Sequence, residues 1–162
     1  MNTDSTQTHI CLSPQDLQKF EGWLTELKQT WYQTIPVSQF MQISPQTFNR
    51  QHFTVTAPMA PNINLHQTMF AGSIYTLMTL TGWGMMWLRQ RLLGVEGNIV
   101  LADAHIRYHA PINQAPIISV VWPETASLMP LTTGGKAKVK LEVQLHCADK
   151  LCATFSGLYF SY

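Results

Sequence analysis

Hydrophobic and polar positions change their rhythm three times along the chain. Leu17, Phe20, Leu24, Leu27 and Trp31 recur at alternating steps of three and four, which predicts an amphipathic helix with Glu21, Glu26 and Lys28 on its wet side. Ser13-Pro14-Gln15-Asp16 supplies its start, with an N-cap serine, a proline at the first helical position and an acid in the first turn. Pro36 requires it to stop. Val37 to Ile43 and Gln51 to Thr56 then read as two strands, or as one strand broken at Ser44-Pro45; in the second, Phe53 and Val55 alternate with His52, Thr54 and Thr56. From Asn98 onward the period is two. Ile99–His109, Ile117–Trp122, Lys136–Cys147 and Leu151–Phe160 are predicted strands, the last two joined by a tip at Asp149-Lys150.

Between these regions, no charged side chain occurs from Ala60 to Leu88. That uncharged run, Ala60 to Leu88, is long enough to cross a bilayer on the twenty-residue rule. Thr76, Thr79, Thr81, Gly82 and Gly84 dilute it, however, and Asn62, Asn64, His66 and Gln67 give it a polar entry. A run of buried strands would want β-branched residues and turns, where Met, Leu and Trp prevail. A helix apolar on nearly every side belongs in a core, so a buried helix is expected, ending near Gly94 after Arg89 and Arg91. The predicted architecture is α+β: an antiparallel sheet wrapped around one long central helix, with an extra N-terminal helix.

Composition adds bounds. The 162 residues suffice for one domain with a real core, and 46% are hydrophobic. A net charge of +1 gives no reason to expect nucleic acid or an anionic membrane. Residues 1–34 are expected to hold a disordered start (Met1 to His9) and the N-terminal helix, and residues 35–162 the main domain. No secretory signal is seen before Cys11, and three cysteines suit a reducing cytoplasm, with thiols acting as small buried hydrophobes. Cys147 and Cys152, with His146 nearby, lack zinc-ribbon spacing, so neither metal nor cofactor is expected.

The stretch Asn64-x-x-x-Thr68-x-Phe70-Ala71-Gly72-Ser73, followed by an apolar helix and a run of strands, resembles the hotdog-fold thioesterases. It is most similar to the thioesterase-like family named after the C-terminal domain of the YiiD protein. The residues that carry the resemblance are Asn62, Asn64, Thr68 to Ser73, Gly82-Trp83, Ile106-Arg107-Tyr108 before Pro111, and Gly157-x-Tyr159. It spans roughly Ile35 to Tyr162. It implies a hotdog fold, an acyl-CoA or acyl carrier protein substrate, and a site shared by the subunits of a homodimer or a dimer of dimers.

The motif suits that chemistry. A helix N-terminus offers unpaired N–H groups and a positive dipole end, so the amides near Ala71 and Gly72 are candidates to polarise a thioester carbonyl and hold the developing oxyanion. Asn64 is a candidate to orient the carbonyl or the attacking water. Asn62 and Asn64 also have a simpler reading as turn residues satisfying the loop backbone. Helical spacing places Ala71, Gly72, Tyr75, Thr79, Gly82 and Met86 on one face, which in the resembling enzymes looks into the groove. Asn62, His66, Thr68, Tyr75 and Asp103 are therefore candidate substrate contacts, beside Asn64, Ala71, Gly72 and Thr79 as catalytic candidates.

One departure stands out. Related enzymes carry a carboxylate on the helix where this chain has Thr79, whose hydroxyl is too weak an acid to become a base at neutral pH. It is expected to bond the helix carbonyl one turn back or to hold a water. Asp103 with His105, or His66, are alternative bases; Asp103, His105 and Arg107 otherwise form a polar outer face. Lys136, Lys138 and Lys140 either meet coenzyme A phosphates or guard the sheet from unwanted pairing. The second class of function left open is a non-catalytic acyl-binding or scaffold module.

Overall fold

The computed structural model describes residues 12–162, so the expectations of disorder for Met1 to His9 and of a buried thiol at Cys11 lie outside the described residues. Helix α1 (Pro14–Thr34) begins where the sequence places it. Ser13 caps it and Asp16 reaches back to complete a capping box. Phe20, Leu27 and Trp31 enter the core, but Leu17 is 49% exposed. The capping box and an Arg50–Asp16 ion pair of 3.0 Å fasten this first turn in place of Leu17.

The expected strand at Val37–Ile43 is absent. Pro36 instead opens a short helix, α2 (Pro36–Phe40), because its ring presets a helical φ and its missing N–H costs nothing at that position. The strand comes later, as β1 (Ser44–Phe48), and runs through Pro45. Proline is tolerated there because β1 is an edge strand whose register slips between Pro45 and Thr47. β1 pairs with β2 (His52–Thr56) as an antiparallel hairpin.

Central helix α3 (Ala71–Leu93) ends at Gly94, which takes a left-handed conformation (φ 69°). Four more strands follow: β3 (Ile99–Tyr108), β4 (Ile117–Val121), β5 (Ala137–Cys147) and β6 (Lys150–Ser161). All six form one antiparallel sheet in the order β1-β2-β4-β5-β6-β3. β5 alternates as predicted, with Ala137, Val139, Leu141, Val143 and Leu145 buried and the intervening lysines exposed. One face of the sheet packs on α3, and Leu27 and Trp31 of α1 close the same core. Among the described residues, no helix is long and apolar enough to cross a membrane.

Two glycines set how closely α3 lies on its neighbours. A Cβ at Gly82 would fall 2.2 Å from the Tyr159 hydroxyl, and one at Gly84 would fall 2.8 Å from both Phe53 and Trp31. The Tyr159 hydroxyl uses that space to donate to the Thr79 carbonyl at 2.8 Å. Helix and sheet are thus joined one turn before Gly82.

Candidate functional site

The polar loop before α3 is a small closed unit. Ile63 and Met69 bridge across it, the Asn64 amide donates to Thr68 O at 2.9 Å, and Gln67 at the tip has φ 61°. Asn64 supplies the inner brace: its Oδ1 accepts from the His66 N–H at 2.9 Å, and its Nδ2 donates to Thr68 Oγ1 at 3.0 Å. The side chains of Asn64 and half-buried Thr68 therefore hold their own loop together. Asn62 is almost fully buried and donates to the carbonyls of Met41 (2.9 Å) and Pro58 (2.8 Å), which anchors the loop to the segment after α2. His66 stands exposed at the tip, away from that anchor.

The loop delivers the chain into α3 with its first amides unspent. The first helical bond runs from the Ile74 N–H to Phe70 O at 3.0 Å, and no side chain caps the helix. The N–H groups of Ala71, Gly72 and Ser73 precede that ladder and carry the positive end of the helix dipole. The Phe70 ring folds back over this turn, and Gly72 makes it possible: a Cβ there would meet the ring at 2.4 Å. Gly72 thus serves the Phe70 ring, while exposed Ala71 leaves its own stretch of backbone approachable.

Ala71, Tyr75 and Thr79 follow one another on the same face of α3. Tyr75 is part-exposed and packs edge-on against Phe155 at 5.6 Å between ring centroids. Thr79 lies deeper. Its Oγ1 is buried without a hydrogen-bond partner among the described residues. The expected back-bond to the helix carbonyl is not made, whereas Thr76 bonds Gly72 O at 2.9 Å and Thr81 bonds Leu77 O at 2.7 Å. Beyond Thr79 the face is sealed, because Gly82 lies under Tyr159 and Met86 is fully buried.

Two tyrosines complete this surroundings, and the sequence reading gave them no role. Tyr108, 47% exposed on edge strand β3, donates to the Ala71 carbonyl at 3.1 Å and so ties that strand to the first turn of the helix. Tyr159 holds the Thr79 carbonyl from below. Both phenols have pKa values pushed up, chiefly by burial and additionally by the nearby Tyr75 hydroxyl, so both stay protonated and serve as donors. A signal was present: Tyr108 shares the strand parity of Ala104 and Ile106, which pack on the core.

Asp103 and His105 sit elsewhere. The register shift between Leu101 and Asp103 resets the alternation of β3, so both are exposed and share an outer cleft with Lys138, Lys140 and Ser156. Within one protomer the sheet separates them from the α3 amides. The structure thus sets Ala71, Tyr75 and Thr79 along one face of α3, keeps Asn64 and Thr68 in the loop that leads into it, and holds Asp103 elsewhere. Among the described residues no group of three or more His, Cys, Asp or Glu side chains could hold a metal ion.

Comparison with known proteins gives this geometry a family. Residues 24–162 match the family model described as "Putative thioesterase (yiiD_Cterm)". A crystal structure of a putative thioesterase from Shewanella oneidensis is 65% identical, with a TM-score of 0.85 over 87% of this chain and 98% of that one. A protein of unknown function from Chlorobaculum tepidum is 27% identical, with a TM-score of 0.79 over 87% and 94%. A thioesterase from Haemophilus influenzae shares the fold at 15% identity, with a TM-score of 0.66 over 85% and 88%. The chain belongs to the YiiD C-terminal-domain family of putative thioesterases and has the hotdog fold.

Proposed function

We propose that the protein hydrolyses acyl thioesters carried on coenzyme A or acyl carrier protein, at a site built on the N-terminus of α3 and completed by a second subunit. The observation that carries this reading is the set of unspent amides of Ala71, Gly72 and Ser73, left without a capping side chain. Unspent amides at a helix N-terminus suit an oxyanion hole, where preorganised donors stabilise charge that develops only on attack. Asn64 and Thr68 hold the entry loop, Tyr108 fixes the first turn against β3, and Tyr75 and Thr79 line the groove for the acyl group. The lone Thr79 hydroxyl is suited to hold the attacking water or the thioester oxygen. His66 and Asp103 remain candidates for substrate contact, the latter only across a subunit boundary, whereas buried Asn62 is spent on the loop anchor. The family membership and the unpaired, buried thiols of Cys147 and Cys152 suit a cytoplasmic enzyme.

The edge of the sheet supports the dimer. β3 is ten residues long, pairs among the described residues only with β6, and leaves Val100 and Tyr108 exposed. Such an edge invites pairing with another strand. Phe70, Tyr75 and Tyr108 stand near it as exposed apolar surface. A two-fold partner pairing through β3 would cover them and enclose the groove. Light scattering is expected to give a dimer or a dimer of dimers; a monomer at micromolar concentration would refute the shared site.

The second reading is a non-catalytic acyl-binding module, favoured by the absence of any Asp or Glu from α3. The deciding experiment is a thiol-release screen of acyl-CoA and acyl carrier protein substrates from short to long chains, run alongside calorimetric binding. Turnover that collapses when the Gly72 amide region is blocked by Gly72→Val supports hydrolysis. Tight binding with no release across the whole series supports the binding module.

A further inference from the structure

The far end of α3 carries a feature that the thioester reading leaves unused. Arg89 lies 17 residues beyond Gly72, about 25 Å along the helix at 1.5 Å per residue. Its guanidinium is half-buried, sits 4.7 Å from the centroid of the Trp122 ring, and donates one N–H to Arg50 O at 2.8 Å. It makes no ion pair among the described residues. The neighbouring arginines differ: Arg50 holds Asp16 and Arg91 holds Glu26. Burying an arginine without a counter-charge is unfavourable, and burial accordingly pushes the Arg89 pKa down.

This cation opens onto a cleft. The cleft has a volume of about 220 Å³, and its walls include Leu92, Leu93, Leu128 and Met129 besides Arg89 and Trp122. Ser127 lies on the same wall and accepts the Met129 N–H at 3.1 Å, so its hydroxyl proton is available to a ligand. Apolar walls with one or two convergent polar groups are the ordinary make-up of a small-molecule site. The charge balance is specific, since the Asp16–Arg50 pair is neutral as a unit and Arg89 leaves one positive charge unmatched.

We propose that this cleft binds a small amphipathic monocarboxylate, its carboxylate on the free edge of Arg89 and the Ser127 hydroxyl, and its aliphatic tail against Leu92, Leu128 and Met129. A planar guanidinium offers a fork that matches a carboxylate. The volume lies below the roughly 300–1,000 Å³ of sites for drug-sized ligands, so the tail is short to medium. The site is separate from the α3 N-terminus and stands whether or not that end hydrolyses thioesters.

Calorimetric titration of the full chain with octanoate, octanol and octyl phosphate tests this, with the Trp122 indole N–H resonance reporting the location. Octanoate is expected to bind and to shift that resonance, with octanol and octyl phosphate each at least tenfold weaker. Arg89→Gln should weaken octanoate at least tenfold. Arg89 also packs on Trp122, so a second variant guards against misfolding. Met129→Glu places a competing carboxylate beside Arg89 from an exposed position, and should weaken octanoate to a similar degree with little change in melting temperature. Octanoate binding that survives both substitutions, or that leaves the Trp122 resonance unmoved, overturns the proposal. Equal affinity for octanol, stronger binding of octyl phosphate, or no binding at millimolar octanoate does so too.

Discussion

Gly82→Ala is a sharp probe of how α3 is held against the sheet. The added methyl would lie 2.2 Å from the Tyr159 hydroxyl oxygen and 2.5 Å from the ring carbon that bears it. Tyr159 is fully buried, so it cannot swing into solvent. Overpacking a core costs about 1–3 kcal/mol, and a displaced phenol that loses its bond to the Thr79 carbonyl adds about 1–3 kcal/mol. Replacing glycine by alanine inside a helix returns about 1 kcal/mol. The net expectation is a loss of about 1–5 kcal/mol, or about 2–20 °C in Tm for a chain of this size. Gly22→Ala is the control, because a Cβ there meets nothing within 4 Å on the exposed side of α1. It should stabilise by about 0.5–1 kcal/mol. Urea unfolding at fixed protomer concentration measures both. In a cycle with Tyr159→Phe, removing the hydroxyl should cost less in the Gly82→Ala background than in the wild type, because the two changes strike the same contact. If Gly82→Ala is as stable as Gly22→Ala, the helix is not positioned by Tyr159.

Three further outcomes are expected. Asn64→Ala should lower turnover by about two orders of magnitude, the range for losing a preorganised polar group; Asn64→Asp keeps the acceptor for the His66 N–H and should recover most of it, whereas equal inactivity would mean that the Nδ2 donor, to Thr68 or to substrate, is what matters. Thr79→Asp should gain acyl-CoA hydrolysis over the wild type, most visibly above neutral pH; burial raises the folded-state pKa of the new carboxyl, so its stability is best below the unfolded value and falls as pH rises through the folded one. A variant that loses a rapid wild-type activity would place the base elsewhere. Asp16 has the opposite sign: the Ser13 hydroxyl and then Arg50 hold its pKa below 3.8, so its stabilising effect is present above that value and fades as pH falls through the lowered one. Asp16→Asn should flatten that acid limb in a melting series from pH 2 to 6.

What the sequence made legible were the features that depend on near neighbours. Ser13, Pro14 and Asp16 define a helix start whatever the rest of the chain does, and Gly94 defines an end. The alternation of β5 is equally local. Val37–Ile43 misled because an apolar stretch of that length is ambiguous and the preceding Pro36 carried the decision. Pro45 argued against a strand, yet it sits in one, because being at the edge is a property of the whole sheet. Asp103 is a case of the same kind. Its alternation with His105 and Arg107 was visible, but which way that face points depended on the register shift just before it.

The site divides along the same line. Its amides were legible, since a glycine-containing turn leading into an apolar helix specifies unpaired N–H groups from sequence alone. What surrounds them was not, because it comes from strands far along the chain. Tyr108 reaches Ala71 across 37 positions and Tyr159 reaches Thr79 across 80. These two contacts fix the helix at two carbonyls, two turns apart on the face that bears Tyr75. Between them the backbone of this helix face is held by phenols that remain donors, and the one side-chain oxygen without a partner is Thr79 Oγ1 among Thr76, Thr79 and Thr81. A residue placed at 79 therefore inherits a backbone already fixed by Tyr159, which makes Thr79→Asp a change of chemistry at a held position and its activity a direct readout of the missing carboxylate.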